Sequence, residues 1–483
     1  MRKFIFIILA VFSVFTFAQE TYEDLEAELF DEDDLLIEPE DATSEKLQEN
    51  AKLKTSLDEA SILLETEKIR FGGMLNSGLS LNYSWDDPYS KKADYTKAFT
   101  NPEFAILQTI LAAQLFFDAR PSENSKIYSK FDFGFPFEKD IGGVAKFPSF
   151  VPAPYGNALL PTISSGVPNF KVRELYTDFS AKDIAFFRFG KHVVKWGAGY
   201  FYSPADILNI SRIDPQDPEA EREGPVSLRL HIIVPKKQHN FWFYLLPPTK
   251  TDDYKPQYTA GAGKAEFVFG NWELGFGGFY KYKKAPRLIT TLSGNIDGNV
   301  RVFAEGVFAW GSDYTYYKTD GAFTEYTEKN KAFFQATLGG SYTNTKSKST
   351  IALQYYYNGF GYQKPYDLVY PLSATAKNET DPAAMQAAMT LGNIMLMPQL
   401  GQHYIALNFH QGKLGTEKLS LNIFQQFAIS EREGLSALKL NYDIYKFVSM
   451  DTGLSFTYPI SKDSKSKGSI GWSLGVKLGG GKF

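Results

Sequence analysis

The residues whose types and spacing could do chemistry are charges set at alternate positions: Lys130, Asp132, Glu174, Arg188, Arg229, Glu266, Arg301 and Glu305, with His192 and Asp206 close by. Fixed charges along a water-filled wall filter solutes electrostatically. Lys126, Lys264, Lys281, Lys439, Asp443 and Lys477 fall in the same phase. Basic residues slightly outnumber acidic ones, which points to a weak anion preference. Ion pairing between neighbouring strands is the more ordinary fate of most of them. Covalent and metal chemistry find little support. The five histidines (His192, His231, His239, His403 and His410) form no His-x3-His pair, and the chain contains no Gly-x-Ser-x-Gly elbow and no phosphate-binding Gly-x4-Gly-Lys-Ser/Thr loop. With no Cys there is no thiol nucleophile, no disulfide and no Cys-ligated zinc or iron–sulfur centre. The reading is of a protein that is not an enzyme and uses no cofactor and no metal.

The elements that must position these charges have a period of two. Phe71, Gly73, Leu75, Ser77, Leu79, Leu81, Tyr83 and Trp85 form one face, and Met74, Asn76, Ser80, Asn82 and Ser84 the other. The same alternation recurs at Trp272–Tyr282, Val300–Trp310, Leu438–Tyr442 and Ile470–Leu478. Successive side chains of a strand point to opposite faces, so each segment is a two-faced strand. Expected strands are 70–85, 104–118, 126–136, 170–180, 184–196, 226–235, 239–247, 257–269, 271–283, 286–295, 299–311, 331–342, 348–358, 402–411, 417–428, 434–443, 446–458 and 468–480. Many exceed the ~5–6 residues of a globular strand and approach the ~9–11 that a tilted strand needs to cross a bilayer. Tyr83, Trp85, Tyr280, Tyr282, Trp310 and Tyr458 sit at the ends of apolar faces, where aromatic girdles meet membrane interfaces. The gaps alternate between short and mostly long, the long ones being 86–103, 137–169, 197–225, 312–330 and 359–401. That parity fits short periplasmic turns and long extracellular loops. The expected fold is all-β: a transmembrane antiparallel β-barrel of sixteen to eighteen strands, closed because lipid leaves no partner for an open edge.

The chain has 483 residues, 16% of them aromatic, and a net charge of −4, which argues against nucleic acid as a partner. Residues 1–18 read as a secretory signal peptide: Met1-Arg2-Lys3, an apolar run to Phe15, then small residues before a cut after Ala18. Residues 19–68 read as a periplasmic arm, with twelve acidic and no basic residues in 19–41, followed by a helical stretch. Residues 69–483 are the expected barrel.

Two stretches resemble known barrels. The final strand with its terminal Phe483 resembles Gram-negative outer-membrane β-barrels, and implies recognition by the barrel-insertion machinery. Val172-Arg173-Glu174-Leu175-Tyr176, Phe187-Arg188-Phe189-Gly190-Lys191-His192, Trp196-Gly197 and Ser203-Pro204-Ala205-Asp206-Ile207-Leu208-Asn209 resemble porin-like barrels, with His192 where Gln is expected. The resemblance implies an outer-membrane porin-like channel, passing small hydrophilic or amphipathic solutes passively, possible as a homo-oligomer. The alternative is a surface adhesin or structural barrel with binding loops. Lys130, Asp132, Glu174, Arg188, His192, Asp206, Arg229, Glu266, Arg301 and Glu305 are the pore-lining or constriction candidates. Loops 137–169 and 197–225 either fold into the pore or cover the surface. Asp381-Pro382 opens an expected apolar helix in loop 359–401, packed in the mouth as a lid or set against a partner.

Overall fold

The computed structural model describes residues 69–85, 105–135, 169–182, 184–235, 237–249, 255–320, 323–376, 382–461 and 468–479. The signal peptide, the acidic arm, most of loop 137–169, Asp381 and Phe483 lie outside them. The strands are β1 (Ile69–Trp85), β2 (Ala105–Ser122), β3 (Ser125–Phe135), β4 (Asn169–Ala181), β5 (Ala185–Lys191), β6 (Val226–Val234), β7 (His239–Leu246), β8 (Ala260–Phe269), β9 (Trp272–Tyr280), β10 (Arg287–Asn295) and β11 (Val300–Trp310). A small hairpin, β12 (Thr315–Tyr317) and β13 (Glu325–Thr327), follows. Then come β14 (Ala332–Asn344), β15 (Ser349–Asn358), two helices, β16 (His403–Gln411), β17 (Leu419–Ala428), β18 (Glu433–Tyr445), β19 (Val448–Pro459) and β20 (Gly468–Gly479).

Apart from the β12–β13 hairpin, these strands make one 18-stranded sheet. Each pairs antiparallel with its chain neighbour, and β1 pairs with both β2 and β20, so the sheet closes. The expected alternation carries through the register. Leu79, for example, stands opposite Leu474 on one side and Thr109 on the other. The outer face is apolar and uncovered by protein: Leu107, Leu288 and Leu338 are each more than 60% exposed. Water would penalise such a belt, whereas a bilayer covers it. Tyr280 and Trp310 are exposed at its extracellular rim and Trp272 at the opposite rim, whereas Tyr83 is buried.

Three departures from the sequence reading matter. The expected strand 184–196 stops at Lys191, because Gly190 adopts φ +132°, and a Cβ there would collide with the Leu175 carbonyl. The chain therefore leaves the wall at His192, earlier than expected. Lys281, placed on an inward strand face by phase, lies beyond the end of β9. The outer loops also hold the β12–β13 hairpin and helix α1 (Tyr366–Thr375), neither of which has a period to announce it.

Helix α2 (Pro382–Met395) is the helix expected after Asp381. Ala384, Ala387, Ala388, Leu391 and Ile394 form its buried face. That face joins Leu368 and Leu372 of α1, Tyr316 and Tyr317 of β12, Phe333 and Phe360 in one apolar cluster on the extracellular side.

Candidate functional site

The site is the inner wall together with the segment that crosses it, residues 192–225. Its first half lies along the wall opposite β11 and β15. Glu305, mid-strand on the inner face of β11, accepts the backbone N–H groups of Ala198 (2.5 Å), Gly199 (2.5 Å) and Ala205 (2.9 Å) and the Ser203 hydroxyl (2.9 Å). Gln354 of β15 accepts from Phe201 N at 2.7 Å and donates to the Tyr202 carbonyl at 2.5 Å. Lys264 of β8 donates to the Trp196 carbonyl at 2.6 Å and pairs with Glu266. A Cβ on Gly197 would strike Ser203 Oγ, so this close wrap around Glu305 requires glycine.

Apolar contacts fix the same half. Trp196 is 1% exposed and meets Tyr244 edge-on, within a cluster with Trp242, Ile289 and Val307. Phe201 packs on Phe424, and Tyr202 stacks on Tyr356 at 5.1 Å. Burying Phe201 alone contributes about 1.5–3 kcal/mol. Glu305, Gln354, Lys264 and Phe424 are mid-strand on inner faces, so the loop lies inside the barrel. Of the two arrangements open for loop 197–225, it adopts the inward one.

The second half is held by charge. Glu221 pairs with Lys130 and accepts from Gln114 at 2.7 Å, while its carbonyl accepts from Arg173 at 3.1 Å. Glu223 pairs with Lys171 and, at 2.6 Å, with Lys191. Within the loop, Asp206 pairs with Arg222 and accepts from Asn209 at 2.7 Å. Burial pushes the Asp206 carboxyl up, and Arg222 and Asn209 oppose the shift. For Glu223, partial burial pushes up, but the hydrogen bonds and charges of Lys171 and Lys191 prevail, and the net shift is downward. Burial, with Asp217 nearby, raises the Glu219 carboxyl.

The sequence candidates divide into groups. Lys130, Asp132, Glu174, Arg188, His192 and Arg229 gather on β3–β6 and the loop start. Asp132 pairs with Arg173 at 2.5 Å. Glu174 accepts from Val193 N at 3.2 Å. Arg188 holds Asp178 through two bonds at 2.7 and 2.8 Å and lies 4.1 Å from the Tyr176 ring centroid. Arg229 stands directly opposite Arg188, and its Nε has no hydrogen-bond partner. His192 is fully buried, with Nδ1 3.2 Å from the Gly190 carbonyl. Glu266 lies on β8, two strands beyond β6, Glu305 lies on β11, and Asp206 belongs to the loop itself. Arg301 lies near the periplasmic end of β11, apart from both groups.

Sequence phase missed Arg173 and Lys171. Between Lys130/Phe131 and their β4 partners the register slips, so Arg173 is the extra residue of a bulge and reaches the lumen beside Glu174. Gln354 was also missed, since a lone Gln before three tyrosines gives no signal. Among the described residues no group of His, Asp and Glu is arranged to hold a metal ion.

No family model matches the chain, and no curated protein matches it. Solved structures do. OccAB1 of Acinetobacter baumannii is 11% identical, with 85% of this chain and 96% of that one covered, at a TM-score of 0.47. OccK1 (OpdK) of Pseudomonas aeruginosa is 9% identical over 86% and 98%, also at 0.47. The outer membrane channel DcaP of A. baumannii is 11% identical over 86% and 99%, at 0.41. Likeness at this level fixes neither a family nor a solute.

Proposed function

We propose that this chain is a passive outer-membrane channel for small hydrophilic or amphipathic solutes, with residues 192–225 as its constriction. One observation carries the reading: an eighteen-stranded wall encloses a loop seated at mid-height, yet part of the inner face remains accessible to water. A purely structural barrel has no need of a folded partition in its lumen. A barrel of this strand number is wide enough for an aqueous path. The ten candidate residues act in this reading in different ways. Glu305, Glu266, Glu174 and Lys130 hold the loop or its neighbours, Arg188 is paired with Asp178, and Arg229 and Arg301 supply wall charge. The outer surface meets outer-membrane lipid, and the last strand meets the insertion machinery.

The test is single-channel recording of the refolded chain, begun at Gln19, in a planar bilayer. Discrete ohmic openings are expected. A folded, inserted protein that passes no current would overturn the reading.

A further inference from the structure

The inner wall is covered unevenly. Every barrel strand from β6 round to β17 has at least one buried inner-face residue, among them Ser227, Lys264, Thr291, Thr337, Gln354 and Asn408. On β18, β19, β20, β1 and β2 the inner face stays open apart from Gly471 and Pro459. Asn76, Asn82, Gln108 and Lys439 are exposed, and Ser80, Asn441 and Ser473 half-buried. Their register forms rows. Gln108, Ser80, Ser473, Gly453 and Lys439 stand side by side at one level across five strands. Asn76, Ser80, Asn82 and Gln108 have no side-chain hydrogen bond to protein among the described residues.

Beside this wall runs the loop segment 212–221, within which Glu219 meets the Tyr200 hydroxyl. At one end Arg212 donates to the Tyr314 hydroxyl at 2.9 Å and to Gln399 at 3.3 Å. At the other, Glu221 is tied to Gln114 on β2 and Lys130 on β3. The segment thus spans the lumen as a strap, with Asp214, Asp217 and Glu219 exposed along it. On the open wall Lys439 lies 3.7 Å from Asp451, and Arg70, Asp443 and Lys477 are exposed toward its periplasmic end. The basic residues of β3–β5 are occupied by Asp118, Asp132, Asp178, Glu221 and Glu223. At the level of Gln108, Ser80 and Ser473, where Lys439 is paired with Asp451, an anion would meet exposed carboxylates on one side and amides and hydroxyls on the other.

We propose that solutes cross through this off-centre aperture, between the strap and the β18–β20, β1, β2 wall, and that it selects hydroxyl- and amide-bearing solutes without negative charge. The inference rests on the channel reading and gives that channel a path and a solute class. The amides and hydroxyls exchange hydrogen bonds with a polar solute as water does. The strap carboxylates repel anions over about one Debye length, ~8 Å at physiological salt.

The experiment exploits the absence of native cysteine. Ser473→Cys and, independently, Ser80→Cys are inserted into planar bilayers and treated with a bulky neutral thiol reagent. Labelling is expected to cut conductance at least about twofold in either variant, by narrowing the path. Unmodified protein should be cation-selective by reversal potential, and Asp217→Asn with Glu219→Gln should shift it toward anions. In liposome swelling, a neutral polyol should enter faster than a monocarboxylate of similar size. Open channels that are anion-selective, or indifferent to labelling at both positions, would overturn the aperture and leave the channel reading standing. Absence of current from inserted protein would overturn both.

Discussion

Glu305 is the residue on which the constriction turns. Three backbone N–H groups and one hydroxyl converge on a carboxylate that is 4% exposed. Each buried donor left without an acceptor costs about 1–3 kcal/mol. Glu305→Ala should therefore free the Ala198–Ala205 stretch while the barrel, held by its own ladder, stays closed. The expected outcome is larger and noisier single-channel current with an unchanged heat-resistant gel band. Glu305→Gln, which keeps one acceptor oxygen, should lie between the two. Gly197→Ala should act in the same direction as Glu305→Ala, through the clash with Ser203. Sequence phase placed Glu305 on the inner face but assigned it to solute. It cannot reveal that a segment some hundred residues upstream takes up the carboxylate, because that contact is made only when the wall curves round.

At the scale of the element, the two halves of the 192–225 segment differ in how they are held. The first half rests on apolar clusters and neutral or buried acceptors, and the second on Glu221 and Glu223 against Lys130, Lys171 and Lys191. Glu223 has a folded-state value below the ordinary carboxyl, so its contribution is fully present above ~4.3 and lost as pH falls through that lower value. The Glu223 anchor should thus hold from neutrality down to about pH 4, and the noisier current that follows its release should set in only below that pH. Glu223→Gln should bring the acid behaviour to neutral pH, and high salt should weaken the same anchors. The end of β5 belongs to this scale too. Alternation continues in the sequence through Trp196, but Gly190 turns the chain inward, and Val194 and Trp196 bury themselves against the inner faces of β7, β10 and β11. Apolar alternation reports burial on one side and is silent about whether lipid or protein provides it. The α1–α2 pair shows the complementary case. Asp381-Pro382 and the apolar run mark the second helix in sequence, whereas α1, with Pro371 inside it, carries no clear start or stop signal.

For the whole molecule, the belt of exposed Leu and Phe side chains is what distinguishes a membrane barrel from a soluble one. Leu338, 63% exposed at the middle of β14, is a direct probe. Leu338→Arg should destabilise the inserted barrel by about 2–4 kcal/mol, whereas Asn76→Arg on the inner face should cost little. Denaturant titration of protein folded into lipid vesicles measures both. The sequence by itself bounded the strand number at sixteen to eighteen and determined the two faces and the alternation of short turns with long loops. All three follow from local rules: side chains alternate, lipid demands apolar residues on one face, and closure leaves no edge. Tertiary structure alone decided which inner-face charges are open to water. Lys130, Asp132 and Arg188 acquire partners from adjacent strands or from the loop, and Arg173 enters the lumen through a bulge. A charge's phase is set by its own strand. Whether it is free depends on groups brought beside it by the closure of the barrel and the inward fold of one loop, and those contacts leave no period in the chain.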